Sequence, residues 1–145
     1  KNGQQAIGKS RGGWTTKVHM VAANARTAIS FALSPGQARD SVQGRLLLSG
    51  IGPLPEPLPL VMDRAYQDDQ TRQLALSFNW IPVVPPKSNR RNPWQYNRTM
   101  YRKRNEIERL FRRLKGFRRI FSRFDKLDLV FLAFLTFALI VEAPR

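Results

Sequence analysis

Four side chains in the most basic part of the chain, Tyr101, Arg104, Glu108 and Lys115, stand three, four and seven positions apart. On a helix of about 3.6 residues per turn, that spacing sets them along one line of the surface. A phenol, a guanidinium and an ammonium in one row suit a phosphate-bearing ligand, so the carboxylate among them needs a reason. Glu108 has a structural explanation as an ion-pair partner of Arg104 and Arg112, one turn away on either side. A chemical explanation arises with Asp63, which ends the apolar stretch LPLVMD from Leu58. Open α/β sheets place functional groups at the carboxyl ends of their strands, although Asp63 alone also suits a strand-end cap. Two carboxylates from separate elements, facing one groove beside a basic surface, form the oxygen-donor set that Mg2+ prefers, with positions left for phosphate and water. Such a set would activate water or a 3′-hydroxyl and stabilise the leaving oxygen in phosphodiester cleavage and strand transfer. Glu106 lies about 160° around the helix from Glu108, so the two glutamates do not share a site. Glu106 is expected to pair with Lys103 or Arg109.

The charge distribution favours the same ligand. The 145 residues carry a formal net charge of +15, and the segment Lys87 to Arg123 holds 14 Lys and Arg against two acids. A field of that sign and density attracts a polyanion, because neutralising phosphates releases condensed counterions. The alternatives for such a run are a solvated helix face or an anionic membrane surface. With no cysteine and one histidine, His19, zinc fingers, thiol catalysis and disulfide frameworks are excluded. The apolar run Leu129 to Val141 is shorter than the roughly 20 residues of a membrane span and reads as a buried helix.

The elements that must position these residues follow from pattern. Residues 14–23 and 28–33 read as antiparallel strands joined by a turn at Asn24 to Thr27. A helix with a capping box from Asp40 to Gln43 follows and stops at Gly50. Leu58 to Asp63 reads as a buried central strand. Asp68 and Asp69 open a helix to about Asn79, since acids suit the positive end of the dipole. Trp80 to Val84 is a strand that Pro82 pushes to a sheet edge. After the loop PPKSNRRNPWQYN, a long helix is expected over about 98–124, with Ile107, Leu110, Leu114, Phe117, Phe121 and Phe124 as one apolar stripe, and then an apolar helix over about 126–141. The class is α/β, with residues 1–13 a flexible basic arm ahead of a domain from 14 to 145.

Within that arm, GQQAIGKS at Gly3 to Ser10 matches the phosphate-loop pattern letter for letter, with Lys9 as its lysine. Such a loop must leave a hydrophobic strand and enter a helix, whereas two glycines and β-formers follow here. A phosphate-loop nucleotidase is therefore an alternative, as is a nucleic-acid-binding module without chemistry. His19 reads as a strand residue rather than a general base. In the loop before the long helix, Lys87, Arg90 and Arg91 are expected to grip phosphates. Trp94 there either stacks on an unpaired base or anchors the loop.

The Tyr101, Arg104, Glu108, Lys115 signature, MDRAY around Asp63, GKSRGGWTTKVH, PPKSNRR and RRIFSRFDKL together resemble the catalytic domain of DDE-type transposases of bacterial insertion sequences, over nearly the whole chain. The resemblance implies a ribonuclease H-like mixed sheet flanked by helices, and an enzyme that cleaves DNA and transfers strands using two Mg2+ or Mn2+ ions. It implies that Asp63 and Glu108 are catalytic metal ligands, the second and third acids of the triad. Tyr101, Arg104 and Lys115 are then expected at transposon-end DNA near the scissile phosphate, with Arg112 beside them. The family's first aspartate lies on a first strand upstream of the region matching Lys1, and Asp40, Asp68 and Asp69 do not replace it. The expectation is thus the carboxyl-terminal part of a transposase, lacking the first strand and inactive in isolation. The resemblance further implies a homo-oligomer when full length, no membrane partner, and a cytoplasmic, nucleoid-associated location.

Overall fold

The computed structural model describes residues 3–144. In chain order the elements are β1 (Gly8–Ser10), β2 (Gly13–Ala22), β3 (Ala28–Pro35), α1 (Asp40–Ile51), β4 (Leu58–Val61), a 3-10 turn (Arg64–Tyr66), α2 (Asp69–Ser77), β5 (Trp80–Val83), α3 (Arg98–Tyr101), a 3-10 turn (Arg102–Arg104), α4 (Asn105–Leu114), α5 (Arg118–Phe121) and α6 (Asp128–Glu142). They form two compact units, one running up to Ala38 and resuming at Glu106, the other spanning Arg39–Asn105.

The first unit is built on an antiparallel sheet in the order β1-β2-β3. Its long hairpin closes as its sequence directs: the Asn24 side chain accepts hydrogen bonds from the backbone N–H of Arg26 and Thr27 at 2.9 and 3.0 Å, an Asx turn that reverses the chain. Val18, Met20 and Phe31 of this hairpin pack on a core of Leu110 and Leu114 from α4 with Leu135, Ala138 and Leu139 from α6. The buried positions of α6, Phe131, Leu135, Ala138 and Leu139, recur at three and four residues and so form one stripe. The segment expected as a flexible arm differs from that expectation. Gly8–Ser10 pairs with β2 through Gly8 opposite Thr15, Ala6 is buried, and the Ala6 N–H donates to Asp128 Oδ2 at 2.8 Å. Lys1 and Asn2, the start of the expected arm, lie outside the described residues.

The second unit holds the parallel pair β4-β5, in register from Leu58 opposite Trp80 to Val61 opposite Val83. Leu48 of α1, Ala75 of α2 and Trp80 form its buried centre. The α2 boundary is as the sequence suggests. Asp68 is its N-cap, accepting from the Thr71 N–H and hydroxyl at 3.0 and 2.7 Å. Asn79 ends the region in the left-handed conformation, φ 62°, which asparagine tolerates, and its side-chain amide donates to the Leu54 carbonyl at 2.6 Å.

Among the described residues the strands form two sheets, one antiparallel and one parallel. Three expectations require correction. β4 is not a buried central strand: it pairs with β5 alone among the described strands, and Leu58 is 52% exposed. Helix α1 has Arg39 at its N-cap with no side-chain cap bond, so Asp40 is already helical and no capping box forms. It ends at Ile51 with Gly52 at φ 80°, a conformation in which glycine avoids the Cβ penalty. The long helix expected over 98–124 is interrupted twice, at the 3-10 turn and again after Leu114. Gly116 disfavours continuation by about 1 kcal/mol, and Phe117 adopts an extended conformation before α5. The apolar stripe therefore stops early, leaving Phe121 and Phe124 at 69% and 62% exposed.

Candidate functional site

Asp63 lies two residues past the end of β4, at the N-cap of the 3-10 turn. Its Oδ1 accepts from the Ala65 N–H at 3.0 Å, and its Oδ2 accepts from Arg104 Nη1 at 2.8 Å. The ion pair is semi-exposed, with side-chain exposures of 32% for Arg104 and 50% for Asp63. Arg104 has Tyr101 beside it, its guanidinium carbon 5.8 Å from the ring centroid. Tyr101 in turn meets the Tyr96 ring edge-on at 5.7 Å. Burial raises the Tyr101 pKa; the Asp63 charge adds to this and the Arg104 and Arg64 charges oppose it. Thus Asp63, Arg104 and Tyr101 come together within the second unit.

Tyr66, which ends the turn that Asp63 caps, packs on α1. Its ring packs so closely on α1 that a Cβ added to Gly44 would fall 2.6 Å from Tyr66 Cδ1. Burial, with the charges of Asp40 and Asp63, pushes the Tyr66 hydroxyl up to about 12, so it stays neutral. Gly44 was invisible as a site residue in the sequence; a glycine at an interior helix position was the available signal.

Glu108 sits on α4 in the first unit and lines an open groove of about 570 Å³. Arg112 and Lys115 line the same groove, whose apolar part includes Phe111, Ile120 and Phe121. Glu106 behaves as expected: its Oε1 accepts from Arg109 Nη1 at 3.3 Å, and its Oε2 accepts from the Ala25 N–H at 3.1 Å. Arg104 forms an ion pair with Asp63. The carboxylates of Asp63 and Glu108 belong to different units.

The basic loop of the second unit is more tightly tied than its composition suggests. Trp94 Nε1 donates to the Val84 carbonyl at 2.7 Å, and the Arg72 and Arg90 guanidinium carbons lie 3.6 and 4.6 Å from its ring centroid. Trp94 is therefore anchored in the loop, with two cations beside its ring. Arg90 is likewise committed, donating through Nη2 to both oxygens of Asp69 at 2.5 and 2.6 Å. Lys87 and Arg91 are exposed. Burial lowers the Arg72 pKa; the Asp69 charge opposes this and the Arg90 charge adds to it.

Two readings of other residues are resolved. Lys9 lies on β1, and a turn and β2 follow it, so no helix N-terminus exists there to hold phosphates and the phosphate-loop alternative is removed. His19 is buried on β2 with Nε2 2.8 Å from Ser34 Oγ, a packed strand residue as expected.

A divalent ion needs oxygen donors at an accessible position. Among the described residues no group of three or more His, Cys, Asp or Glu comes together. Asp63 nevertheless fits a Mg2+ ligand. It is a half-exposed carboxylate that already collects a cation and an N–H donor, and Mg2+ is commonly held by one or two carboxylates with water and phosphate completing its shell. No helix among the described residues is long and apolar enough to cross a membrane.

Residues 1–141 match the family described as Transposase DDE domain. A protein of Brucella ovis, named as a transposase for insertion sequence element IS6501, is 28% identical over 125 residues, covering 86% of this chain and 94% of that relative. No solved structure matches.

Proposed function

Since the chain belongs to the transposase DDE domain family, we propose that it binds transposon-end DNA and serves metal-dependent phosphodiester cleavage and strand transfer through Asp63 and Glu108. The match across residues 1–141 carries this reading. A ribonuclease H-like arrangement is part of the proposal; the mixed α/β content and the parallel β4-β5 pair with Asp63 just past its carboxyl end support it.

Asp63 and Glu108 would hold Mg2+ or Mn2+ as hard carboxylate donors. The bound ions supply activation of the attacking oxygen and stabilisation of the leaving one. Arg104 and Tyr101, beside Asp63, contact the phosphate backbone near the scissile bond. Arg112 and Lys115, beside Glu108 on their groove, neutralise flanking phosphates. Lys87 and Arg91 supply non-sequence-specific affinity, while Trp94 and Arg90 fix the loop that presents them. As a homo-oligomer, the protein acts on DNA in the bacterial cytoplasm, associated with the nucleoid.

The test is transposition, in cells, of an element whose transposase contains this chain. Asp63→Asn and Glu108→Gln are each expected to lower its frequency by about a thousandfold or more while purified variants still bind DNA. Retained transposition in both variants would leave a DNA-binding module without chemistry.

A further inference from the structure

The contact between Asp63 and Arg104 joins two groups that the proposed reaction needs for different partners. A guanidinium matches a phosphate as well as a carboxylate, each through parallel N–H donors. In this structure Arg104 Nη1 is spent on Asp63 Oδ2 at 2.8 Å, and the other carboxylate oxygen accepts the Ala65 N–H. A divalent cation arriving at Asp63 meets a positive charge already seated there. A phosphate arriving at Arg104 meets a neighbouring negative one. Each ligand is therefore disfavoured alone, and each is relieved when the other arrives.

We propose that Arg104 is a positioning residue that exchanges partners: it holds the Asp63 carboxylate until a DNA phosphate takes the guanidinium, so that DNA and divalent cation bind cooperatively at this acid. The inference rests on the reading of Asp63 as a metal ligand. The coupling is reciprocal. Its size follows from the ion pair it must break. Half-exposed pairs of this kind are worth about 0.2–1 kcal/mol, equivalent to about a 1.4- to fivefold change in either affinity.

The experiment is a double-mutant cycle on the purified full chain, with Asp63→Asn, Arg104→Gln and the double variant. Asparagine remains a competent N-cap, so the turn is retained. Two readouts are taken: the affinity for a short DNA duplex in EDTA, and the affinity for Mn2+ alone from its electron paramagnetic resonance signal. Asp63→Asn is expected to raise metal-free DNA affinity two- to fivefold when Arg104 is present, and by less than half that factor in the Arg104→Gln background. Arg104→Gln is expected to raise Mn2+ affinity about two- to fivefold when Asp63 is present, and not when it is Asn. Equal effects in the two backgrounds would overturn the exchange, because they reduce it to net charge. If Mn2+ affinity still falls in Asp63→Asn under that outcome, Asp63 keeps its role as a ligand. If Asp63→Asn leaves Mn2+ affinity unchanged, the ligand reading fails and the exchange with it.

Discussion

The two compact units carry the two candidate carboxylates, Asp63 and Glu108, in contrasting settings. In the second, charge is compensated at short range: Asp63 with Arg104, Asp68 with Arg45 and Asp69 with Arg90 all lie within 3 Å. In the first, where Arg123 pairs with Asp128 at 2.6 Å, Glu108 shares an open groove with Arg112 and Lys115 whose walls include the core residues Leu114 and Leu135. The difference separates two ways of placing a reactive acid. One fixes it with hydrogen bonds on a turn. The other sets it on a helix that packs on the core.

The largest test of this contrast strikes the packing. Leu110 is fully buried on α4, and Leu110→Ala should lower stability by about 2–5 kcal/mol in urea denaturation. A loss under 1 kcal/mol would mean that α4 does not depend on that core. Next is Gly44→Ala, where the new methyl meets the Tyr66 ring at 2.6 Å. Overpacking of this kind costs about 1–3 kcal/mol, and a neutral result in thermal melts would show that the turn bearing Asp63 is not braced by Tyr66.

A third comparison concerns Asp68. Asp68→Ala removes an N-cap and should cost about 1–2 kcal/mol. Burial alone would raise the Asp68 pKa, but the hydrogen bonds from the Thr71 hydroxyl and N–H and the Arg45 charge together hold it below its ordinary value. A depressed folded-state value makes this contribution complete above the unfolded pKa and progressively lost as pH falls through the folded one. The stability difference between the two proteins should therefore shrink below about pH 4. A difference that persists unchanged at pH 2 would contradict the ion-pair and hydrogen-bond origin.

The smallest effect separates free from committed cations in the basic loop. Lys87→Ala should reduce the salt dependence of DNA binding by about one unit of slope. Arg90→Ala should change that slope less, because Asp69 already neutralises Arg90. Equal slopes for the two variants would sink the distinction.

Local patterns were legible where a single segment determines its own structure. The β-branched run of β2 with the Asn24 turn, the acids opening α2 and the existence of the apolar helix α6 read directly from the residues, but α6 is buried on one stripe only, with Leu129 and Ile140 78% and 69% exposed. The place of Asp63 just past β4 was legible because a carboxylate ending an apolar strand is a recognisable position. The break after Leu114 was hidden because the apolar spacing runs through Gly116 without interruption, while the helix does not. The partners that anchor Trp94, Val84 and Arg72, lie outside its own loop segment, so the loop sequence left anchoring and base stacking both open. Division of the strands into two sheets is also a matter of non-local pairing, which period-two alternation does not encode. The ion pair of Arg104 with Asp63 has the same origin: its partner lies 41 positions away in the chain, which spacing along a helix does not reveal.

The central claim is that the Asp63 carboxylate binds the metal that the chemistry uses, and a ligand swap tests it most directly. Asp63→Cys replaces a hard oxygen donor with a soft thiolate, which Mg2+ avoids and Mn2+ or Cd2+ tolerates better. Transposon-end cleavage by a transposase containing this substitution should be lost in Mg2+ and partly restored in Mn2+ or Cd2+. Cleavage in Mg2+ at the unsubstituted rate would show that the metal does not sit on Asp63.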